Sequence, residues 1–457
     1  MRLDVHVRGK KVAQIYRQQD DYLLRYLDSA QPTDFVSLTM PVRQEPWRWP
    51  RDLHPFFRQN LPEGYLLSII REEFGPFLDG TDLSLLAVVG AAGVGRVTVT
   101  PEGAEPGADL APLQVEPLLR AENTSTYFVS LVRQYARASV SGMVPKFLSH
   151  ENTFDNLNGQ LGKSTLRTQR YIIKGSDETT PYLGFNEFYS MRVLSRLGVV
   201  PVAQTQMSDD GQLLVVKRFD VNEDGVPTHG LEDACGLVGL PPHEKYASTT
   251  EKILTACLTY LPVSQKHQQL EQLGWHLLTN YVVRNADCHA KNIALVYTGL
   301  NDVAFSPVYD IVTTEAYPRY ANHPPGLAID GRKTWAPGKT LERFFNTRLG
   351  IAPLQYSKMV ERLCESAVEV GSEVIAAAKN EPRWQSVAKQ MVHAWNEGMS
   401  SLRDPKKSPK YHGLTQAITA AGFSDPEPAD PERVTIGRSE LLAAPRGKPK
   451  RNQSRLS

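Results

Sequence analysis

The sequence predicts an α+β chain whose strand-rich first part gives way to a mostly helical second part. Three observations predict it. Short apolar runs broken by turn residues fill the first hundred positions, a strand ending in Lys174 is followed by a helix that opens on Gly184-Phe185-Asn186-Glu187, and beyond about Leu231 apolar residues recur at helical intervals.

Taken in order, Leu3, Val5 and Val7 alternate against polar neighbours, turn at Arg8-Gly9-Lys10 and return through Val12 to Tyr16, a hairpin pattern. Tyr22 to Leu27 and Phe35 to Val42 read as further strands of the same sheet, with a Pro- and Trp-rich linker after them. Helical spacing runs from Leu53 to Ile70 on either side of Pro62, and a strand from Gly95 to Thr100 closes this N-terminal subdomain, residues 1–100. The acidic stretch 101–112, with its Pro and Gly, reads as a linker.

Residues 113–220 read as a nucleotide-binding lobe. Val115 to Arg137 has helical character, and the small-residue turn Ser141-Gly142-Met143-Val144-Pro145-Lys146 is a candidate phosphate loop, although it lacks the G-x-x-x-x-G-K-S pattern. Tyr171 to Lys174 is a strand, and Glu187 lies on the helix that follows, the arrangement that aligns ATP phosphates in kinases. Strands are expected at Val202 to Met207 and Leu213 to Asp220. Residues 221–423 read as a helical lobe, with helices at Leu231 to Leu240, Glu251 to Leu261, Gln265 to Val283, and several more between about Gly338 and Gly422. The Pro-, acid- and base-rich tail 424–457 has little to pack and is expected to be disordered.

Composition excludes some classes of partner. The 457 residues are 41% hydrophobic, enough for a sizeable core, and 51 Lys and Arg balance 50 Asp and Glu, so charge makes no general case for nucleic-acid or membrane binding. Cys235, Cys257, Cys288 and Cys364 are too far apart for a metal-ligand pair and fit a reducing compartment. A polar N-terminus and the lack of an eighteen-residue apolar run lead to the expectation of a soluble, cytoplasmic protein.

The chemistry concentrates in Tyr281 to Val296, where Asp287 and Asn292 stand five positions apart on a polar loop between apolar segments. In phosphoryl transfer such an Asp accepts the acceptor hydroxyl's proton while the Asn holds a magnesium ion. Common residue usage makes about one such spacing expected by chance in a chain of this length. Asp310, at the end of Phe305 to Asp310, is a second candidate ligand, since magnesium favours carboxylate, carbonyl and phosphate oxygens. The plainer alternative makes Asp287 a turn residue and Asp310 a helix cap. Phosphate loop, strand Lys, helix Glu, hinge strand, Asp-x-x-x-x-Asn loop and strand-end Asp nevertheless follow one another in kinase order.

On these parts the sequence resembles the HipA family of serine/threonine-protein kinase toxins over nearly its whole length. The most specific matches are Asn285-Ala286-Asp287-Cys288-His289-Ala290-Lys291-Asn292, Pro307-Val308-Tyr309-Asp310, and Glu232-Asp233 through Gly239-Leu240-Pro241-Pro242 to Lys245-Tyr246. Ser37-Leu38-Thr39-Met40-Pro41 and Gly90 to Val97 match the family's N-terminal subdomain. The resemblance implies a two-lobed protein-kinase-like fold that uses ATP and Mg2+, with Asp287 as base and Asn292 and Asp310 as metal ligands. It also implies Lys174 on the phosphates, Lys217, Arg218 and Phe219 near adenine, and His289, Lys291 and Tyr309 completing the nucleotide site. Further implications are a helix-turn-helix, HipB-like antitoxin through which operator DNA is contacted, an aminoacyl-tRNA synthetase as protein substrate, and Ser139 as an autophosphorylated off-switch. Two departures stand out: Met143-Val144-Pro145 replaces the family's Ala-Gln-Glu, and Lys217 stands where a Glu is common. A non-catalytic co-repressor subunit and a small-molecule kinase remain the competing functions.

Overall fold

The computed structural model describes residues 1–62, 78–106, 114–124, 164–335, 338–402 and 413–423, with a few positions between 67 and 75 and between 127 and 133. Ser139, the phosphate-loop candidate Ser141 to Lys146 and the tail 424–457 lie outside the described residues.

The N-terminal sheet is antiparallel and built from β1 (Arg2–Val7), β2 (Lys10–Gln18), β3 (Asp21–Tyr26), β4 (Trp47–Pro50) and β5 (Val97–Pro101), in the order β4-β3-β2-β1-β5. The expected hairpins and closing strand are therefore present, but two details differ. The Pro- and Trp-rich linker contains the edge strand β4. Phe35 to Val42 is not a strand, because its backbone groups find partners outside a ladder: the Tyr26 hydroxyl receives the Val36 N–H at 2.8 Å and donates to the Met40 carbonyl at 2.5 Å. Leu38 N–H donates to the Glu232 carboxylate at 2.6 Å. Helices α1 (Pro55–Arg58) and α2 (Asp82–Val89) pack under this sheet.

The second sheet carries the expected Lys strand. Its order is β6-β7-β9-β8, from β6 (Ser164–Arg167), β7 (Tyr171–Gly175), β8 (Thr205–Met207) and β9 (Leu213–Lys217), all antiparallel. Side chains alternate across a strand, and β9 uses both faces: Leu213 and Val215 join the apolar core of the N-terminal subdomain, while Leu214 and Val216 join that of the helical lobe. That double burial is why β9 reads as an unbroken apolar run. Between the strands, α3 (Val115–Arg120) is short, and α4 (Leu183–Ser195) covers the sheet on the helical-lobe side.

The expected helix from Leu231 to Leu240 is instead strand β10 (Gly230–Asp233) followed by the single turn α5 (Ala234–Leu237). β10 pairs with β11 (Ala294–Tyr297), which pairs in turn with the two-residue β12 (Ala304–Phe305), so that of the run Phe305 to Asp310 only Phe305 lies in a strand. Gly230 explains the local choice, since a Cβ there would lie 2.2 Å from the Tyr297 ring that covers it. Helices α6 (Thr250–Leu258), α7 (Lys266–Val282), α8 (Gly338–Phe344), α9 (Pro353–Asn380), α10 (Gln385–Leu402) and α11 (Thr415–Ala420) complete the lobe, close to their expected positions. The long ones are amphipathic: α9 buries Met359, Leu363, Ala367, Val370 and Val374 at helical spacing. The fold is α+β, with two lobes and a small strand-rich N-terminal subdomain. Among the described residues no helix is long and apolar enough to cross a membrane.

Candidate active site

Helix α7 ends at Val282, and the loop after it is held by its own side chains. Arg284 takes a left-handed conformation (φ 56°), and the turn closes as Asn285 N–H donates to the Asn280 carbonyl at 2.9 Å. The Asn285 amide donates to Asn280 Oδ1 at 2.7 Å, while its own Oδ1 accepts the Asp287 N–H at 3.0 Å. Thr314 Oγ1 accepts the Ala286 N–H at 2.8 Å and donates to the Arg284 carbonyl. Gly326 lies against the loop so closely that a Cβ would stand 2.3 Å from the Cys288 carbonyl oxygen. The bonds to the Asn285, Ala286 and Asp287 N–H groups and to the Arg284 carbonyl satisfy the loop's backbone, and together these contacts restrict it at Asp287.

His289 opens a short 3-10 turn to Asn292, whose Oδ1 accepts the His289 N–H at 2.9 Å. The Asn292 side-chain amide donates to Asp310 Oδ2. Asp310 is itself left-handed (φ 59°), a conformation that Asp tolerates better than most residues, and its carbonyl accepts from the Asn285 amide at 3.4 Å.

Lys174 on β7 reaches Glu187 on α4 and, at 2.6 Å, Asp310 Oδ1. Glu187 is fully buried, and a buried carboxylate requires such a partner. The α4 helix is fixed relative to Asp310 by Asn186, which donates to the Thr313 carbonyl at 2.9 Å and accepts the Thr313 N–H at 2.8 Å. Residues from a strand, a helix and two loops thus meet at one place. The predicted Lys174 and Glu187 pair is formed, and Asn292 lies beside Asp310.

Asp310 and Asn292 offer a carboxylate and a side-chain amide, donor types that a hard divalent cation accepts, while the Lys174 ammonium now bonded to Asp310 would be its competitor for that carboxylate. Among the described residues no group of three or more His, Cys, Asp or Glu could hold a metal, so phosphate and water oxygens would have to complete its shell, as magnesium commonly requires. The amide nitrogen of Asn292 faces Asp310, and a cation held by the amide oxygen would compete with the His289 N–H that this oxygen now accepts.

The remaining predicted residues are distributed unevenly. Tyr309 donates to the Lys291 carbonyl at 2.7 Å, and the Phe219 ring lies 5.9 Å from the Tyr309 ring, which forms an aromatic pair at the end of β9. Lys217 pairs with Glu223 at 2.7 Å on the surface. The buried Arg218 guanidinium grips Asp220, donates to the Thr168 carbonyl at 3.0 Å and reaches the Gly93 carbonyl at 3.3 Å, so its side chain ties β9 to the N-terminal subdomain. Burial, with Asp287 and Asp310 nearby, pushes the Cys288 thiol up to about 12, so it stays protonated at neutral pH.

Sequence reasoning assigned no role to Tyr246, whose hydroxyl donates to Asp287 Oδ1. It also missed the second arm of Lys174, the one on Asp310. The Lys245-Tyr246 motif was the available signal for the first, and nothing local signalled the second.

The family model for the HipA-like C-terminal domain matches residues 138–371, and that for the HipA N-terminal domain matches residues 3–100. "Putative kinase Y4mE" of Sinorhizobium fredii is 28% identical over 312 residues, covering 62% of this chain and 69% of the relative. "Putative kinase Y4dM" of the same organism is 26% identical over 341 residues, covering 69% and 78%. In fold, the chain is similar to one in the structure of the Shewanella oneidensis MR-1 toxin-antitoxin system HipA, HipB and its operator DNA, with a TM-score of 0.62 and 20% identity over 90% of this chain and all of that one. With both family models matched in order over most of its length, the chain belongs to the HipA family of kinases.

Proposed function

We propose that this chain transfers the γ-phosphoryl group of ATP, with magnesium, to a serine or threonine hydroxyl of a protein, and does so as the toxin of a toxin-antitoxin pair. One observation carries the reading: Glu187, Lys174, Asp310 and Asn292 form an unbroken line of contacts that ends five residues from Asp287. A surface Lys-Glu pair or a pair of capping aspartates would not produce that line, and a purely structural co-repressor would not need it.

The roles follow from position. Lys174, set by Glu187, binds phosphate oxygens, and Phe219 with Tyr309 offers apolar surface for the base. Asn292 and Asp310 would hold the metal, which supplies neutralisation of phosphate charge. Asp287 takes the proton of the acceptor hydroxyl as that oxygen bonds to the γ-phosphorus and the bond to the bridging oxygen breaks, releasing ADP. Transfer to Ser139 would place about −1.5 to −2 charges beside the phosphate loop and switch the enzyme off.

A HipB-like helix-turn-helix protein is the proposed partner, because the similar Shewanella structure holds HipB and operator DNA. The near-neutral charge of this chain, 51 basic against 50 acidic residues, leaves DNA contact to that partner. An aminoacyl-tRNA synthetase is the acceptor class to test first. Incubation of a bacterial lysate with labelled ATP and magnesium, read by phosphoproteomics, is expected to show new phosphoserine or phosphothreonine with the wild-type chain and none with Asp287→Asn. Equal labelling by the two would refute the assignment.

A further inference from the structure

Tyr246 belongs to none of the roles above, yet its hydroxyl donates directly to the carboxylate assigned as the base. The residue is fixed from several sides. Its backbone neighbour Lys245 accepts the Ala290 N–H at 3.1 Å, which joins this segment to the catalytic loop. Its ring meets the His289 ring edge-on with centroids 4.9 Å apart. The ammonium groups of Lys333 and Lys245 lie 5.4 and 5.6 Å from the ring centroid, within the range of cation-π attraction. A phenol held this way has little freedom to point elsewhere, and two nearby cations favour donation of its proton to an anion.

The consequence concerns geometry at the base. A carboxylate on a loop can rotate about its last torsion, which is broad and weakly restrained. Asp287 has its backbone N–H fixed by Asn285, and the Tyr246 bond to Oδ1 restrains rotation of the carboxylate. We propose that Tyr246 is a positioning residue for phosphoryl transfer, acting through Asp287 and held in place by His289, Lys245 and Lys333. This rests on Asp287 being the base.

The test uses the full chain, labelled ATP with magnesium, and the proteins of a bacterial lysate as acceptors, with the wild type, Tyr246→Phe, Lys333→Met and Asp287→Asn compared. Tyr246→Phe keeps the ring and removes the bond; it is expected to lower the rate at saturating ATP by roughly 10- to 100-fold, the value of a hydrogen bond to a charged group. The ATP concentration at half-maximal rate and the melting temperature should not change. Lys333→Met loosens the ring while leaving the hydroxyl, and should give the same split at roughly threefold. A Tyr246→Phe rate within twofold of wild type would overturn the proposal, as would a loss that comes with a parallel rise in half-saturating ATP and a fall in melting temperature. If Asp287→Asn transfers as fast as wild type, the base assignment itself fails, and that result is distinct from either outcome at Tyr246.

Discussion

Glu232 accepts the backbone N–H of Leu38 at 2.6 Å, so a fully buried carboxylate of the helical lobe is bonded to the irregular segment of the N-terminal subdomain. The Ser37 hydroxyl at 2.8 Å and the Tyr297 hydroxyl at 2.6 Å also donate to it. These donors favour the charged form, but burial outweighs them and raises the Glu232 carboxyl from its ordinary range to about 7.

The direction of the resulting pH dependence is fixed by linkage. Glu232 stays protonated to higher pH when folded than when unfolded, so its contribution is fully present below about 4.5 and is lost as pH rises toward 7. Urea unfolding of wild type and Glu232→Gln at pH 5, 6, 7 and 8 should show the wild type losing about 2–3 kcal/mol relative to the variant across this window. A constant difference would contradict the assignment.

Removal of Lys174 should cost more than activity. Lys174→Met leaves Glu187 buried beside Asp310 without its cation, and is expected to destabilise the chain by about 3–5 kcal/mol while abolishing nucleotide binding. Adding Glu187→Gln should recover part of the stability and none of the binding. Thermal unfolding and calorimetry with Mg-ATP separate the two effects, and a stable Lys174→Met protein would argue against a buried pair.

At Asp310 backbone and ligand roles can be separated. Asp310→Asn keeps a residue that tolerates positive φ and should fold normally, whereas Asp310→Ala adds about 1 kcal/mol of left-handed strain. Both should weaken nucleotide binding with magnesium far more than without it. Equal affinity of the wild type in the two conditions would remove the metal role.

Gly326→Ala tests the catalytic loop without altering any reacting group. A Cβ 2.3 Å from the Cys288 carbonyl must displace either residue, and a shift of about 1 Å at a catalytic group can cost on the order of 100-fold in rate. Transfer should fall at least tenfold with ATP affinity kept. Full activity would mean that the loop yields without consequence.

Legibility in the sequence followed the distance over which each feature is decided. Asp287 and Asn292 were legible because their relation is local, and so was the order Lys174, Glu187, Asp310. The contacts of Tyr246 with Asp287 and of Lys174 with Asp310 span 41 and 136 positions, and no periodicity encodes them. Helix α2, Asp82 to Val89, escaped because it is apolar on every side and shows no helical stripe. The segment Phe35 to Val42 has strand composition, yet Tyr26 and Glu232 offered its backbone better partners than a neighbouring strand. β10 read as helix for the converse reason, since its pairing with β11 is nonlocal.

The two-faced burial of β9 bears on how this protein can be divided. Two family models match successive parts of the chain, but Leu213 and Val215 fill the core of the first unit from a strand that belongs to the second, alongside Leu166 and Ile173. A fragment that begins after residue 100 would keep Leu118, Phe128 and Leu131 of that cluster but lose the N-terminal sheet's share of it, exposing apolar surface that favours self-association. The N-terminal unit accordingly shares its core with strands of the second sheet, so its folding is tied to theirs.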